Sequence, residues 1–400
     1  MYYQAACNNI LKPTHLCGGR LSLTLSRKLD LRLMKILFLL FAVLSSADTL
    51  AAEDVWTAFW DKENYKRGFK DVDGNIKITP KFMGMTQATE FKNIVAVMEE
   101  NEGEFDAYYL LKNGDRVKEV KMFTFDNSFD CESDNKIRFR DKKTDAMGYL
   151  SAKGAIAIPP TYNFGQPFSN GLTSVIKGAT LSCHNGKPFG PENRCEHAHW
   201  KGGEKLVIDA KNKILLKNVF LSHELDRHSL SISKDPIESE IIESFRGIDG
   251  NYLNFVNTEK HFEMWFRKNI LGDIKRSNIE MHSFEEVAQF KSGRGWYKKP
   301  KRQFWRENHQ EIIKALNLLN ANDSSFFVSI DGINQFIFEE DKYKPYYSQC
   351  YNLIANRHPT LSVIADHEHA GSKVQNIFEF LRINDTYKII SITLRTGDLI

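Results

Sequence analysis

The sequence predicts a β-rich array of tandem hairpin repeats followed by an α+β domain. Three observations predict this architecture: a glycine-turn-proline motif that returns along the first half, the loss of that motif after about residue 235, and helical spacing of apolar residues beyond that point. A fixed period of about forty residues marks stacked supersecondary units that bury a shared core. We therefore expect β repeats over residues 53–225 and an α+β domain over residues 235–400.

Residues 34–52 have the layout of a secretory signal peptide. Lys35 supplies a positive charge, residues 36–44 form a short apolar run, and small residues follow. The apolar run is too short to span a membrane, although a buried core helix is an alternative interpretation. We expect residues 1–33 to be an upstream, unstructured leader. The mature protein would then begin near Glu53, lack a transmembrane segment and reside in the periplasm or outside the cell.

The composition is that of an ordinary globular protein. The chain has 400 residues, of which 42% are hydrophobic and 26% are charged, so it can bury more than one core. Its formal net charge of +3 is too small to indicate a polyanionic partner for the whole protein. The sequence therefore does not predict nucleic-acid binding, and any basic site must be local.

Two strong copies of the motif define the repeat. Residues 68–82 are echoed eighty positions later by residues 148–162, with the glycine, two isoleucines, a proline and a closing aromatic residue in the same places. The Asp73-Gly74 pair lies between apolar alternations, where a two-residue hairpin turn needs positive φ angles. We expect strands on both sides of this turn. Pro80 should end the strand ladder because it has no N–H group to donate.

Two weaker copies complete the array. One keeps the turn at Asn113-Gly114, and another places Asn212 where the motif has glycine, because asparagine is the next best tolerated residue there. The distance from the third turn to the fourth is 58 residues rather than forty. The sequence thus predicts four equivalent structural turns, at Gly74, Gly114, Gly154 and Asn212.

The extra length before the fourth copy contains two of the cysteines. If the leader and signal are removed, four cysteines remain: Cys131, Cys183, Cys195 and Cys350. An even count in an oxidising compartment favours disulfides. We expect Cys183 and Cys195 to close the neck of the inserted loop, which would stabilise the fold by roughly 3 kcal/mol, and we leave the pairing of the other two open. The alternative is a zinc site made from Cys183, His184, Cys195, His197 and His199.

The repeat motif resembles the WG repeat family of bacterial proteins. The resemblance covers residues 60–220 and is carried by the Gly-Phe-x-Asp-x-x-Gly-x-Ile-x-Ile-x-Pro-x-Phe pattern that begins at Gly68 and by its copy at Gly148. The Trp-Gly pair that names the family is absent, since Arg67 and Met147 precede these glycines. The resemblance implies β-rich interaction modules and brings neither catalytic residues nor a cofactor.

The C-terminal half shows amphipathic helices and a final hairpin. Its order of elements weakly resembles the NTF2-like or cystatin-like α+β cone, a fold that hosts binding sites and enzymes alike. The expected helices are Glu259–Ile270, Trp305–Leu319 and Tyr346–Ile354, and the expected strands are Phe326–Ile330, Gln335–Phe338, Val374–Ile383 and Tyr387–Leu394.

A basic and aromatic segment over residues 291–306 is the first candidate binding site. Outside the cytoplasm, such a mixture suits anionic lipid headgroups, acidic polysaccharide or cell-wall polymer. The alternative is a surface loop anchored by its aromatic residues. The candidate binding residues are Trp296, Tyr297, Lys298, Lys299, Arg302 and Trp305.

Residues 366–371 form the densest group of potential metal ligands. On an extended segment, His367 and His369 would point the same way and form a transition-metal pair. The alternative is a polar turn before the last hairpin. A second charged group, which contains His223, Asp226 and His228, is expected to be a solvated connector between the two halves.

These observations predict an exported, non-catalytic binding or scaffold protein that acts through β-repeat surfaces. Phosphate loops, a Gly-x-Ser-x-Gly elbow and dinucleotide-binding glycines are absent from the sequence in any fitting context. We expect no cofactor, and a partner that is either a protein or an anionic component of the envelope. The alternative is an envelope hydrolase or metal-dependent enzyme with its site around residues 366–369. A toxin or a toxin-neutralising partner is a third interpretation.

Overall fold

The computed structural model describes residues 54–61, 63–125, 127–291, 295–321, 326–348, 350, 352–369 and 372–395. Residues Asp54–Ile400 cluster as one compact unit. The expected leader over residues 1–33 and the signal peptide over residues 34–52 lie outside the described residues. Among the described helices, none combines the length and the apolar character that a membrane crossing requires.

The N-terminal part is built from antiparallel strands. These strands form a seven-stranded sheet of order β4-β1-β2-β3-β5-β6-β7, two four-stranded sheets of order β13-β12-β11-β8 and β14-β15-β18-β19, a three-stranded sheet of order β20-β22-β21, and the pairs β10-β9 and β16-β17. Their bounds are β1 (Trp56–Asp61), β2 (Lys66–Lys70), β3 (Ile76–Phe82), β4 (Glu90–Phe91), β5 (Ile94–Asn101), β6 (Glu104–Leu111), β7 (Arg116–Val117), β8 (Lys121–Met122), β9 (Thr124–Phe125), β10 (Ser128–Phe129), β11 (Lys136–Arg140), β12 (Met147–Ser151), β13 (Ile156–Tyr162), β14 (Phe164–Gly165), β15 (Leu172–Lys177), β16 (Thr180–Ser182), β17 (His199–Lys201), β18 (Glu204–Asp209), β19 (Ile214–Lys217), β20 (Leu225–Ser233), β21 (Ile242–Arg246) and β22 (Tyr252–Asn257).

Five hairpins in this part share one turn geometry. In the third, Ser151 N donates to Ala155 O at 2.8 Å and Gly154 N donates to Ser151 O at 2.9 Å, and the same two bonds recur in the other four. The loop therefore has three residues, with the last in the left-handed region, rather than the two-residue turn that the sequence predicted. The left-handed residues are Gly74, Gly114, Gly154, Asn212 and Gly250, with φ of 86°, 93°, 76°, 66° and 86°.

The fifth hairpin joins β21 to β22 and was not predicted from the sequence. Its turn residue, Gly250, follows Asn212 by 38 positions, close to the repeat period. Gly247 N donates to Asn251 O at 2.7 Å, which closes the same loop as in the other units. The hairpin array therefore continues beyond residue 225, the boundary expected for the repeats.

The glycine that opens each strong copy of the motif is needed for close packing of the hairpin. A Cβ atom on Gly148 would lie 2.6 Å from Ile158 O and 2.9 Å from Pro160 N, and one on Gly68 would lie 2.6 Å and 2.8 Å from the corresponding atoms of Ile78 and Pro80. The register shifts at this point in both hairpins, so the strand after the turn bulges towards the glycine. The glycine therefore makes room for the bulge that contains the proline.

Each unit packs on the next through a buried aromatic core. The closing aromatics Phe82 and Tyr162 are both buried, at 0% and 5% exposure, and belong to two separate core clusters. Tyr109 of the seven-stranded sheet donates a hydrogen bond at 2.6 Å to Arg138 O, in β11 of a four-stranded sheet. Tyr149, in β12 of that sheet, donates at 2.7 Å to Gln166 O, next to β14 of the other four-stranded sheet. Repeated tyrosines therefore tie consecutive sheets together.

The C-terminal part places helices on one face of a six-stranded sheet of order β24-β23-β28-β27-β26-β25. Strand β23 pairs in parallel with β28, and the remaining pairs are antiparallel. Its elements are α1 (Thr258–Asn269), α2 (Arg276–Met281), β23 (Ser283–Lys291), β24 (Gly295–Pro300), α3 (Lys301–Ala321), β25 (Phe326–Asp331), β26 (Thr360–His369), β27 (Ser372–Ile383) and β28 (Thr386–Thr393), with short 3-10 helices at Leu271–Asp273, Asp341–Tyr346 and Leu353–Ala355.

Two hydrophobic clusters cover the two faces of this sheet. Helices α1 and α3 supply buried side chains such as Phe266 and Trp305, which pack with Phe380 of β27. The neighbouring residue Leu381 points to the opposite face, where it packs with Tyr343. The helical face is therefore a filled apolar core.

Three sequence expectations in this part were wrong. The segment Gln335–Phe338 forms no strand, and the described residues of Tyr346–Ile354 contain short 3-10 turns instead of an α-helix. Phe338 is 1% exposed and Tyr343 is 0% exposed, so the apolar residues of this region pack on the sheet from irregular backbone. Strands β23 and β24 precede α3, whereas the sequence placed the helices first.

Candidate functional site

The predicted basic aromatic site lies on an edge strand and the start of a helix. Trp296 to Lys299 belong to β24, and Arg302 and Trp305 belong to α3. Trp305 is 0% exposed and its indole Nε1 donates to Ser283 Oγ at 2.8 Å, so it is part of the core. The structure therefore does not present all six residues to one ligand.

The two lysines of this segment already have acidic partners. Lys298 pairs with Glu340, and Lys299 pairs with Glu307. The Tyr297 hydroxyl donates to Gln289 Oε1. Trp296 is 41% exposed on the edge strand and Arg302 is exposed on the helix. These two side chains are the accessible ones of the predicted set.

The predicted metal pair lies in β26 rather than in a turn. The backbone of His367 pairs with Val374 and that of His369 pairs with Ser372. In the part of the chain that the structure describes, no group of three or more histidine, cysteine, aspartate or glutamate side chains could hold a metal ion. The metal hypothesis for these two histidines stays a prediction.

The four cysteines in the described part of the chain form two disulfides. Cys183 and Cys195 are joined, with their Cα atoms 5.9 Å apart, at the base of the inserted loop. Their thiolates are therefore unavailable for the zinc site considered above. Cys131 and Cys350, whose pairing the sequence left open, are joined across 219 residues with their Cα atoms 6.0 Å apart. This second bond connects the repeat array to the C-terminal part.

The expected solvated connector is instead a structural strand. Asp226 lies in β20, and its carboxylate accepts a bond from Arg382 Nη1 at 2.7 Å. Burial lowers the pKa of His228 below its ordinary value, with a smaller contribution from the positive charge of Arg357. The Asp226–Arg382 pair therefore fastens β20 to β27.

A groove of about 490 Å³ lies on the first two repeat units. We call it the repeat groove. It is formed by β1, β3, β6 and the residues around the second turn. Its walls carry four cations and two aromatic rings, which are Lys77, Lys81, Lys112, Arg116, Trp56 and Tyr108.

One buried carboxylate organises one end of the repeat groove. Glu99 accepts bonds from Arg116 Nη2 at 2.7 Å and the Tyr108 hydroxyl at 3.0 Å, and pairs with Lys81 at 3.0 Å. Burial acts to raise the pKa of Glu99, but the bonds from Lys81 and Tyr108 outweigh it and lower the pKa overall. Glu99 therefore stays ionised and fixes two cations at the groove wall.

The other end is organised by an aromatic ring. Lys112 Nζ lies 4.9 Å from the centroid of the Trp56 ring, within the range of a cation–π contact. Lys112 also pairs with Asp54 at 3.2 Å, and Lys77 pairs with Asp71 at 3.3 Å. Asp54, Asp71 and Glu99 are not among the described residues that line the groove. Arg116 also pairs with Asp106 at 3.3 Å. The groove wall therefore carries four cations, each held in position by an ion pair.

Another unit of the array forms the same type of hairpin without these cations, and at the place of Asp71, the partner of Lys77, it has Ser151. An offset of eighty residues relates the first unit to the third, and an offset of forty relates the second to the third. The first and third hairpins have the same turn hydrogen bonds, and each has a glycine packed against the strand that follows the turn. At the places of Lys77, Lys81, Lys112 and Arg116, the third unit has Ala157, Thr161, Ala152 and Ile156.

A second cavity, of about 400 Å³, lies beside the Cys131–Cys350 disulfide. Its lining is mostly apolar, with Phe164 on one wall. At this cavity Arg138 and Asp130 satisfy each other, since Arg138 Nη2 lies 2.6 Å from Asp130 Oδ1 and Arg138 Nε lies 3.0 Å from Asp130 Oδ2. Both sites therefore carry charges that are paired within the protein, and they differ in that the lining of the repeat groove contains more cations.

The repeat groove was not predicted from the sequence. An alignment of the repeats with one another would have indicated the groove, because cations occupy positions of the first two units that are small or apolar in the third. It was hidden because the cations are far apart in sequence and converge only when β3 and the second turn lie side by side. The basic segment over residues 291–306 was predicted as a binding site because its charges are close together in the sequence.

Comparison with known families supports the repeat assignment. A family model described as WG containing repeat matches residues 147–179, which span β12 to β15 and the third hairpin. The chain therefore contains a WG-type β repeat. No curated protein and no solved structure matched the chain.

Proposed function

We propose that this WG-repeat-containing protein is an exported, non-catalytic binding protein that acts through the surface of its β repeats. The observation that carries the proposal is the repeat groove, where four cations converge at positions that are small or apolar in the third unit. A groove lined with cations and aromatic rings suits an anionic component of the cell envelope.

Two features support export. Disulfides form and persist in oxidising compartments, and the chain has two disulfide-bonded pairs. The sequence of residues 34–52 has the charge and apolar pattern of a signal peptide. The proposal therefore places the protein in the periplasm or outside the cell, where anionic polymers and lipids are accessible.

The test is cosedimentation of purified protein with insoluble envelope material. The double variant Lys77→Ala with Lys81→Thr installs the residues of the third unit in the groove. We expect binding to weaken roughly thirtyfold, from about 1 kcal/mol per lost cation near an anionic surface. Lys153→Ala, at the exposed third turn, is the matched control and should bind like the wild type.

Equal binding by the double variant and the wild type would contradict the proposal that the repeat groove is the binding surface. Steady release of soluble products from the envelope material would instead favour the hydrolase alternative. Variants of Asp366, His367 or Glu368 would then be expected to stop that release.

A further inference from the structure

A second charged pocket, of about 460 Å³, lies in the C-terminal part, far in sequence from the repeat groove. We call it the lysine pocket. The start of α3, strands β23 and β28 and the 3-10 helix Asp341–Tyr346 form it. The residues that carry the argument are Lys301, Lys342, Lys388, Glu285 and Tyr346.

Only one of the three lysines has a carboxylate partner. Lys342 pairs with Glu286, which also accepts a bond from the Tyr343 hydroxyl at 3.2 Å. Within the described ranges, Lys301 and Lys388 form no ion pair at all. Lys388 Nζ is held by a bond to the backbone oxygen of Met281 at 3.0 Å. Its position is therefore fixed without any neutralising charge.

The two unpaired lysines act on each other. Burial lowers the pKa of the Lys388 ammonium, and the positive charge of Lys301 lowers it further. Lys301 is also the first residue of the 21-residue helix α3, where the helix dipole adds positive potential. Two like charges that face one cavity in this way are unfavourable until an anion occupies the space between them.

We propose that the lysine pocket binds a phosphate-bearing anion. A phosphate monoester carries a charge of about −1.5 to −2 at neutral pH, which matches the two uncompensated ammonium groups. Lysine binds phosphate as a point charge, without the planar fork that arginine offers to carboxylates. Glu285 lines the pocket as well, so an anion is favoured near Lys301 and Lys388 and disfavoured near this carboxylate.

The first experiment measures thermal unfolding of the protein in increasing inorganic phosphate, against sodium chloride at matched ionic strength. The variants are Lys301→Met and Lys388→Met. The control is Lys314→Met, which removes the same charge from an exposed position of α3. We expect phosphate to raise the Tm of the wild type and of the control by several degrees more than chloride does. Either pocket variant should lose this difference.

A second readout separates a lost site from a damaged fold. Without phosphate, each pocket variant should be at least as stable as the wild type, because the repulsion between Lys301 and Lys388 is gone. A phosphate response that is the same in wild type and pocket variants would overturn the proposal, since it would reflect the general effect of phosphate on folded proteins. A wild type that responds equally to phosphate and chloride would overturn it too.

Vesicles identify the source of the phosphate group. We would compare vesicles of phosphatidylcholine with vesicles that also contain phosphatidylglycerol. Binding that disappears in Lys301→Met assigns the ligand as a lipid headgroup. A phosphate response without vesicle binding assigns it as a soluble phosphate ester. Both results support the pocket, and neither depends on the repeat groove.

Discussion

At the residue scale, the motif separates positions fixed by packing from positions free to carry charge. Gly148 is fixed because the strand that follows the turn comes within 2.6 Å of where its Cβ would be. Lys77, only three residues beyond the turn glycine, is free to vary, since its counterpart is Ala157. The sequence showed the glycines through repetition. It could not show the groove lysines, because their function depends on contacts between units.

The packing role of this glycine can be measured directly. We expect Gly148→Ala to destabilise the protein by about 1–3 kcal/mol or more, because the added methyl group meets backbone atoms that cannot move independently. Gly84→Ala is the control, since nothing lies within 4 Å of its Cβ position and its φ is not positive. Urea denaturation midpoints would compare the two. Equal midpoints would contradict the packing account.

Stability should fall as the pH drops below about 6.5, the unperturbed histidine pKa. Burial is the main cause that lowers the pKa of His261 and His282 in the folded protein. The unfolded chain therefore binds protons first, so stability is lost as the pH falls from 6.5 through the lowered values. Burial raises the pKa of Glu379. Glu379 therefore adds stability as the pH falls towards the ordinary pKa of a glutamate, which opposes the loss of stability from the histidines.

His261→Gln tests this pH dependence, because glutamine can still bond the Tyr387 hydroxyl, which lies 2.8 Å from His261 Nδ1. The variant should reduce proton uptake on unfolding by up to one proton between pH 6.5 and 5. The measurement is the slope of unfolding free energy against pH. An unchanged slope would show that His261 does not contribute to the pH dependence of stability.

At the element scale, the turns were the most predictable feature and the irregular segments were the least. Four left-handed turn residues were identified because Gly and Asn are the residues that tolerate that conformation. The fifth, Gly250, escaped because its strands lack the proline and closing aromatic of the motif. Phe338 was assigned to a strand from local apolar pattern, although its burial comes from packing on a sheet distant in sequence.

The turn geometry predicts a graded response at one exposed position. Gly74 has φ of +86° and no atoms near its Cβ position, so substitution there probes backbone conformation alone. We expect Gly74→Ala to cost about 1–2 kcal/mol and Gly74→Asn to cost clearly less. Thermal unfolding of both variants would rank them. The reverse ranking would show that the left-handed conformation is not what the glycine supplies.

At the scale of the whole molecule, the sequence predicted the two types of architecture but not how they are joined. A covalent bond from Cys131 in the array to Cys350 in the C-terminal part makes the connection, and Asp226 with Arg382 adds an ion pair. Neither could be read from sequence, since four cysteines allow several pairings and the partners are distant along the chain.

Removal of this covalent bond should have a larger effect than removal of the local one. Closure of a 219-residue loop is worth on the order of 5 kcal/mol in the chain-entropy model, against about 3 kcal/mol for the 12-residue Cys183–Cys195 loop. We expect Cys131→Ser with Cys350→Ser to unfold at lower urea than Cys183→Ser with Cys195→Ser. Hydrogen exchange should rise around β10 and the segment near Leu353 in the first double variant alone.

The long reach of the Cys131–Cys350 bond also sets an order of maturation. The early hairpins use contacts between neighbouring units, so they can assemble while the rest of the polypeptide is still being delivered. Cys350 follows its partner by 219 residues, so we expect the crosslink to form late in folding. Until then Cys131 lacks its native partner, and a chain truncated before residue 350 would lack that partner permanently.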